Sequence, residues 1–179
     1  MSSNPPQPAC WPAGVPLAKG LTGCALFRHL EALAEARPDA IAAGHATYRE
    51  LLDASLTLAG YMQQRLGIRA GDQVLLLMED NEPFAIACFA IARCDAVAVA
   101  VAPQLHDDSA ELARLAAAHD VHVAIARAAA LPAVAPLLDD GTLYGCIVDA
   151  GPVSARPGVH DLAGALSAGI APVPLPASQ

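Results

Sequence analysis

Four short apolar runs constrain what this chain can fold into. "QVLLLM" occupies residues 73–78, "AVAVAV" 96–101, "VHVAIA" 121–126 and "LYGCIVDA" 143–150. None shows the sustained polar–apolar alternation of a strand with one wet face. The segments between them carry helical spacing and are long enough for crossovers. That order predicts an α/β fold: a mostly parallel sheet with helices on both faces. A fifth, shorter strand is expected at 40–46, "AIAAGHA", with a turn at Gly44.

The helices announce their ends. In "TYRELLDASLTLAGYMQQRLG", Thr47 and Glu50 have the spacing of a capping box, and Leu51, Leu52, Leu56, Leu58, Ala59, Met62 and Leu66 form a broad apolar stripe. Gly67 suits the position just past its end. An earlier helix opens near Thr22, carries Leu26, Phe27, Leu30, Leu33 and Ala34 on one face, and stops before Pro38. A third starts at Asn81 or Glu82, with Pro83 in its first turn. A fourth is capped by Asp108 or Ser109. "RAAALPAVAPLLDD" predicts a short helical stretch broken by proline, and "VHDLAGALSAG" a last helix of two turns at most. Residues 1–20 read as a disordered Pro-rich tail, 21–168 as the folded unit and 169–179, "GIAPVPLPASQ", as a linker.

Charge and composition exclude several roles. The formal net charge is −8 and no basic run occurs, which argues against a nucleic-acid partner. Residues 83–103 are long enough to span a bilayer, but Arg93 and Asp95 sit at their middle, where each costs several kcal/mol in lipid. Helix, tight turn and buried strand is the better reading of that stretch. The N-terminus has neither the basic nor the apolar region of a signal peptide. A cytoplasmic protein is expected. The 5 cysteines, Cys10, Cys24, Cys88, Cys94 and Cys146, follow no framework spacing and read as reduced, small hydrophobes. A mean hydropathy of +0.41 is high for a free monomer and suggests that another surface covers part of this one.

No constellation of residues for chemistry assembles in the sequence. A G-x-S-x-G elbow, a G-x-G-x-x-G turn and a G-x-x-x-x-G-K-[ST] loop are all absent. The sole lysine is Lys19, in the tail. His119 and His122 have a spacing that two metal ligands on one helix would share, yet Asp120-Val121 reads as a helix-to-strand junction that turns them apart. Glu79, Asp80 and Glu82 lie at the carboxyl end of a strand, where open parallel sheets bind ligands. A charged turn favouring the next helix N-terminus is the preferred reading of them, as it is of Asp107-Asp108. Asp72 and Asp95 read as turn residues. No catalytic, cofactor-binding or metal-ligating residue is therefore assigned.

Beyond single motifs, the ordered series resembles a known family, the adenylate-forming enzymes: acyl-CoA ligases, nonribosomal-peptide adenylation domains and luciferases. Thr47, Tyr48, Glu50 and Leu51 match its L-T-Y-x-E-L. Gly67, Gly71, Asp72 and Val74 match G-[VI]-x-x-G-D-x-V. Asn81, Phe84, Ala96, Val97, Val99, Val101 and Pro103 match the helix and strand that follow. "LLLM" before the acidic turn and "IARCDAV" are similar to bacterial medium- and long-chain fatty-acid–CoA ligases. The resemblance covers roughly residues 24–170. Departures are Ala100, where proline is frequent, Ala102, where asparagine is frequent, and a clipped hairpin in "AIAAGHATYREL".

The resemblance implies the N-terminal subdomain of an AMP-forming acyl-CoA ligase. An intact homologue would use ATP, Mg and CoA. Its Gly-, Ser- and Thr-rich ATP loop, acidic ribose motif and C-terminal domain with a catalytic lysine have no counterpart in this sequence. The loop would come soon after the segment matching "HDLAGALSAGIAPVPLPASQ". The chain alone is thus expected to hold no cofactor and to be inactive. Its expected partner is the remainder of a ligase, another chain or a second copy of itself. The alternative is a non-catalytic interaction module built on a truncated ligase fold. A small Rossmann-like binding domain is disfavoured, since no phosphate-binding turn is present.

Overall fold

The helix at residues 48–65 shows how local chemistry sets an element. In the computed structural model, which describes residues 23–149 and 156–174, the Thr47 hydroxyl accepts from the Glu50 N–H and Glu50 Oε2 accepts from the Thr47 N–H at 2.8 Å. Helix α2 follows, counted after α1 (Gly23–Ala36), β1 (Ile41–Ala43) and β2 (Ala46–Thr47), and runs Tyr48–Arg65. Gly67, at φ +69°, takes the left-handed turn after α2, and the Ile68 N–H returns to the Met62 carbonyl at 3.1 Å. Strand β3 (Gln73–Leu77), α3 (Glu82–Arg93), β4 (Val97–Ala100), α4 (Ser109–His119), β5 (Val123–Arg127), α5 (Leu131–Asp139), β6 (Gly145–Asp149), β7 (Val159–Asp161) and α6 (Leu162–Ser167) complete the order. Asn81 caps α3 by accepting from the Phe84 N–H, and Asp108 caps α4 through Ala110 and Glu111.

The five-stranded sheet has the order β4-β3-β5-β6-β7, and every neighbouring pair is parallel. Side chains divide by strand parity. Val74, Leu76, Val123, Ile125 and Ile147 face α1, α2, α3 and α6. Leu75, Leu77, Ala124, Ala126, Cys146 and Val148 face α4 and α5. The predicted α/β architecture, helices on both faces of a parallel sheet, is what the chain adopts. Strands β1 and β2 form a separate antiparallel hairpin around Gly44, so the short strand expected at 40–46 is two.

Three further expectations change. β4 is not buried: it is one of the two edge strands of the sheet, and Val97 is 51% exposed. The apolar run guaranteed a strand but could not say which edge lacked a neighbour. The last helix begins three residues late, because Val159–Asp161 first pair with β6 as a strand. Asp161 then caps α6 by accepting from the Gly164 N–H at 2.8 Å. Proline does not break α5. Pro132 lies in its first turn, and Pro136 forfeits one internal bond while buried Ala133, Val134 and Leu137 anchor the helix to the sheet. The Thr22 cap, the tail and residues 175–179 lie outside the described residues.

Residues 170–174 run as an extended strap over α2. Gln64 Nε2 donates to the Ala171 carbonyl and the Val173 N–H donates to Gln63 Oε1, each at 2.7 Å. Among the described residues, no helix is long and apolar enough to cross a membrane.

Candidate functional site

A 2-1-3-4-5 strand order reverses direction between its first and third strands, and the crevice beyond their carboxyl ends is where such sheets take ligands. Here that point lies between β3 and β5. Arg127, the last residue of β5, occupies it. Its guanidinium lies 3.6 Å from Glu79 Oε1 and 3.8 Å from Asp107 Oδ1, and its Nε donates to His106 Nδ1 at 3.2 Å. His106 is fully buried, with Nε2 2.9 Å from the Val101 carbonyl oxygen. The Nε2–H tautomer satisfies both partners. His106 thereby holds Arg127 across the ends of β3 and β5.

Of the acids read from the sequence, Glu79 and Asp107 meet here. Glu82 turns away and accepts from the His45 N–H of the hairpin at 3.2 Å. Asp108 is committed to capping α4. The two residues that organise the point, His106 and Arg127, were missed. Their signal was positional: each follows or ends an apolar run, at the carboxyl edge.

The edge as a whole is acidic. Glu79, Asp80, Asp107, Asp108, Asp149 and Asp161 end or closely follow the strands, and Arg127 is the single guanidinium among these six carboxylates. Burial, and then the neighbouring Asp161, push the Asp149 carboxyl above its ordinary range. Nearby, the Tyr61 hydroxyl and His160 Nδ1 are 2.8 Å apart and join α2 to β7, while burial lowers the His160 value.

At the opposite, amino-end edge a cavity of about 230 Å³ is bordered by Asp72, His119, Asp120, His122 and Tyr144. The His122 ring stacks on Tyr144 and sets Nδ1 3.2 Å from the Thr142 carbonyl oxygen. Asp120 ends α4 in the left-handed conformation, at φ +52°, which marks the helix-to-strand junction between the two histidines. Among the described residues, no three histidine, cysteine or acidic side chains come together as metal ligands do. Asp72 accepts from the Arg69 N–H at 2.8 Å and Asp95 takes φ +54°, both as turn residues. Cys94 and Cys146 are buried, and burial pushes each thiol up to about 12, with Cys88 at about 11. Such thiols are poor nucleophiles.

The ATP phosphates do not fit the carboxyl edge. Its lone guanidinium is already flanked by two carboxylates, and the described residues include no lysine.

Comparison with known proteins gives this fold its context. The family model described as AMP-binding enzyme matches residues 30–167. A long-chain-fatty-acid–CoA ligase of Salmonella typhimurium is 34% identical over 79 residues, which are 44% of this chain and 14% of that protein. The fold is similar to a benzoate CoA ligase from Burkholderia xenovorans LB400, with TM-score 0.70 and 20% identity over 86% of this chain and 30% of that one. It is also similar to a long-chain-fatty-acid-CoA ligase from Archaeoglobus fulgidus, with TM-score 0.67 and 17% identity over 83% of this chain and 31% of the other. The chain thus spans about a third or less of the relatives it matches.

Proposed function

Because this chain belongs to the AMP-binding enzyme family, we propose that it is the N-terminal part of an AMP-forming acyl-CoA ligase, nearest to the fatty-acid–CoA ligases. The match across residues 30–167 carries this reading. The intact reaction joins a carboxylate to ATP, giving acyl-adenylate and pyrophosphate. The thiol of CoA then displaces AMP to form the thioester, with Mg on the phosphates. This segment contributes scaffold and part of one wall of the site. Its acidic carboxyl edge supports the view that the phosphates are held elsewhere, by a loop from the remainder of a ligase or from another chain, in the cytoplasm.

The chain alone then neither binds ATP tightly nor turns over. Pyrophosphate exchange with ATP and a panel of fatty acids tests this on the pure protein. Exchange at the level of buffer is expected, and a clear signal would overturn the proposal that the segment is inactive by itself.

One observation favours a second reading, a non-catalytic module that pairs with itself or a partner. Edge strand β4, "VAVA", has no charge, proline or bulge of the kind that usually protects an exposed edge. Light scattering separates the readings: a clean monomer over a wide concentration range argues against self-pairing.

A further inference from the structure

The strap carries contacts that a passive connector lacks. A Cβ placed on Gly60 would stand 2.1 Å from the Ile170 carbonyl oxygen and 2.6 Å from the Ala171 carbonyl carbon, both backbone atoms. Only glycine lets the strap lie this close to α2. One turn on, Gln64 donates to the Ala171 carbonyl and Gln63 accepts from the Val173 N–H, each at 2.7 Å. Arg93, the last residue of α3, reaches the Val173 carbonyl at 3.4 Å. Every one of these contacts is to main chain. The strap's own sequence suits them. Pro172 and Pro174 have no N–H, so Gln63 Oε1 satisfies the one backbone donor of residues 172–174, the Val173 N–H. Their fixed φ also reduces the conformational freedom lost on docking.

We infer that Gly60, Gln63 and Gln64 are positioning residues. They form a backbone clamp on α2 that sets the course of residues 170–173. Contacts pass from Gly60 to Gln64 and on to Arg93, so the strap runs toward the C-terminal ends of α2 and α3. Its significance for catalysis rests on the ligase reading, in which the segment after the strap leads to the ATP loop. A loop so held starts from a defined place rather than from the end of a free tether.

Amide hydrogen exchange on the 179-residue chain, read by NMR, tests the clamp. The Val173 N–H is expected to be protected in the parent protein. Gln63→Leu removes its acceptor and should speed exchange about tenfold, the ratio an ordinary hydrogen bond corresponds to. Gln63→Glu keeps an acceptor and should retain the protection. Gly60→Val should free residues 170–173 while the amides of β3 and β5 stay protected. If that variant fails to fold, the two Gln63 variants still decide. Exchange of Val173 at the unstructured rate in the parent overturns the inference, as does Gln63→Leu without effect. These rates do not depend on ATP, acyl substrate or catalysis. A failed clamp therefore leaves the family match intact, and a failed ligase reading leaves the exchange rates unchanged.

Discussion

β3 and β4 look alike in sequence and end in opposite surroundings. Both are apolar runs, "QVLLL" and "VAVA", and both were expected to be buried. β3 has a strand on each side and helices on each face, and Leu75, Leu76 and Leu77 are buried. β4 has one neighbour, and Val97, Ala98 and Ala100 are exposed. Hydrophobicity selects the strand state. Rank within the sheet decides burial, and rank depends on where distant strands insert. β5 pairs beside β3 rather than β4, which leaves β4 outermost.

Substitutions can break or sharpen that contrast. The largest effect is expected from Leu76→Ala, which opens a cavity at the sheet centre and should cost about 2–5 kcal/mol in urea unfolding. A loss well below that range would mean that β3 is less enclosed than described. Next comes Ala124→Leu on β5, where extra volume between the sheet and helices α4 and α5 should cost about 1–3 kcal/mol by the same measurement. A smaller change acts through α2, whose Leu58 and Met62 share a buried cluster with Val74 and Leu76. Thr47→Ala removes its cap and should cost about 1 kcal/mol.

The cap also carries a pH dependence. Hydrogen bonds from the Thr47 backbone and then its hydroxyl hold Glu50 below its ordinary 4.5. A depressed carboxylate contributes stability that is complete above 4.5 and lost as pH falls through the folded-state value. The gap between parent and Thr47→Ala should therefore narrow in acid, as unfolding curves taken on both sides of 4.5 would show. The smallest effect is Val97→Lys on β4, expected to change stability by about 0.5 kcal/mol or less. Its informative readout is light scattering: if β4 mediates self-pairing, the lysine should abolish it.

The site was less legible than the fold. Caps at Thr47, Asn81 and Asp108 were readable because each pairs with an N–H two or three residues away. His106 and Arg127 meet across 21 residues of chain, and local spacing cannot show that. Among the acids at the carboxyl edge, only the fold separated Glu79, which faces Arg127, from Glu82, which serves the hairpin turn. β7 escaped notice since three residues, two of them polar, carry no strand period; their pairing comes from β6.

What the sequence determined by itself was most of the helices and four strands of the parallel sheet, through periodicity and contacts within one turn, and the ordered motifs that carry the family resemblance. Tertiary structure decided which apolar strand lies at the edge, that Arg127 stands at the switch point held by His106, and that "GIAPVP" lies clamped over Gly60. The physical reason is range. Hydrophobic burial is non-directional and predicts that an apolar run will be covered, whereas the partner that covers it, or fails to, is chosen only when segments far apart in the chain compete for the same place.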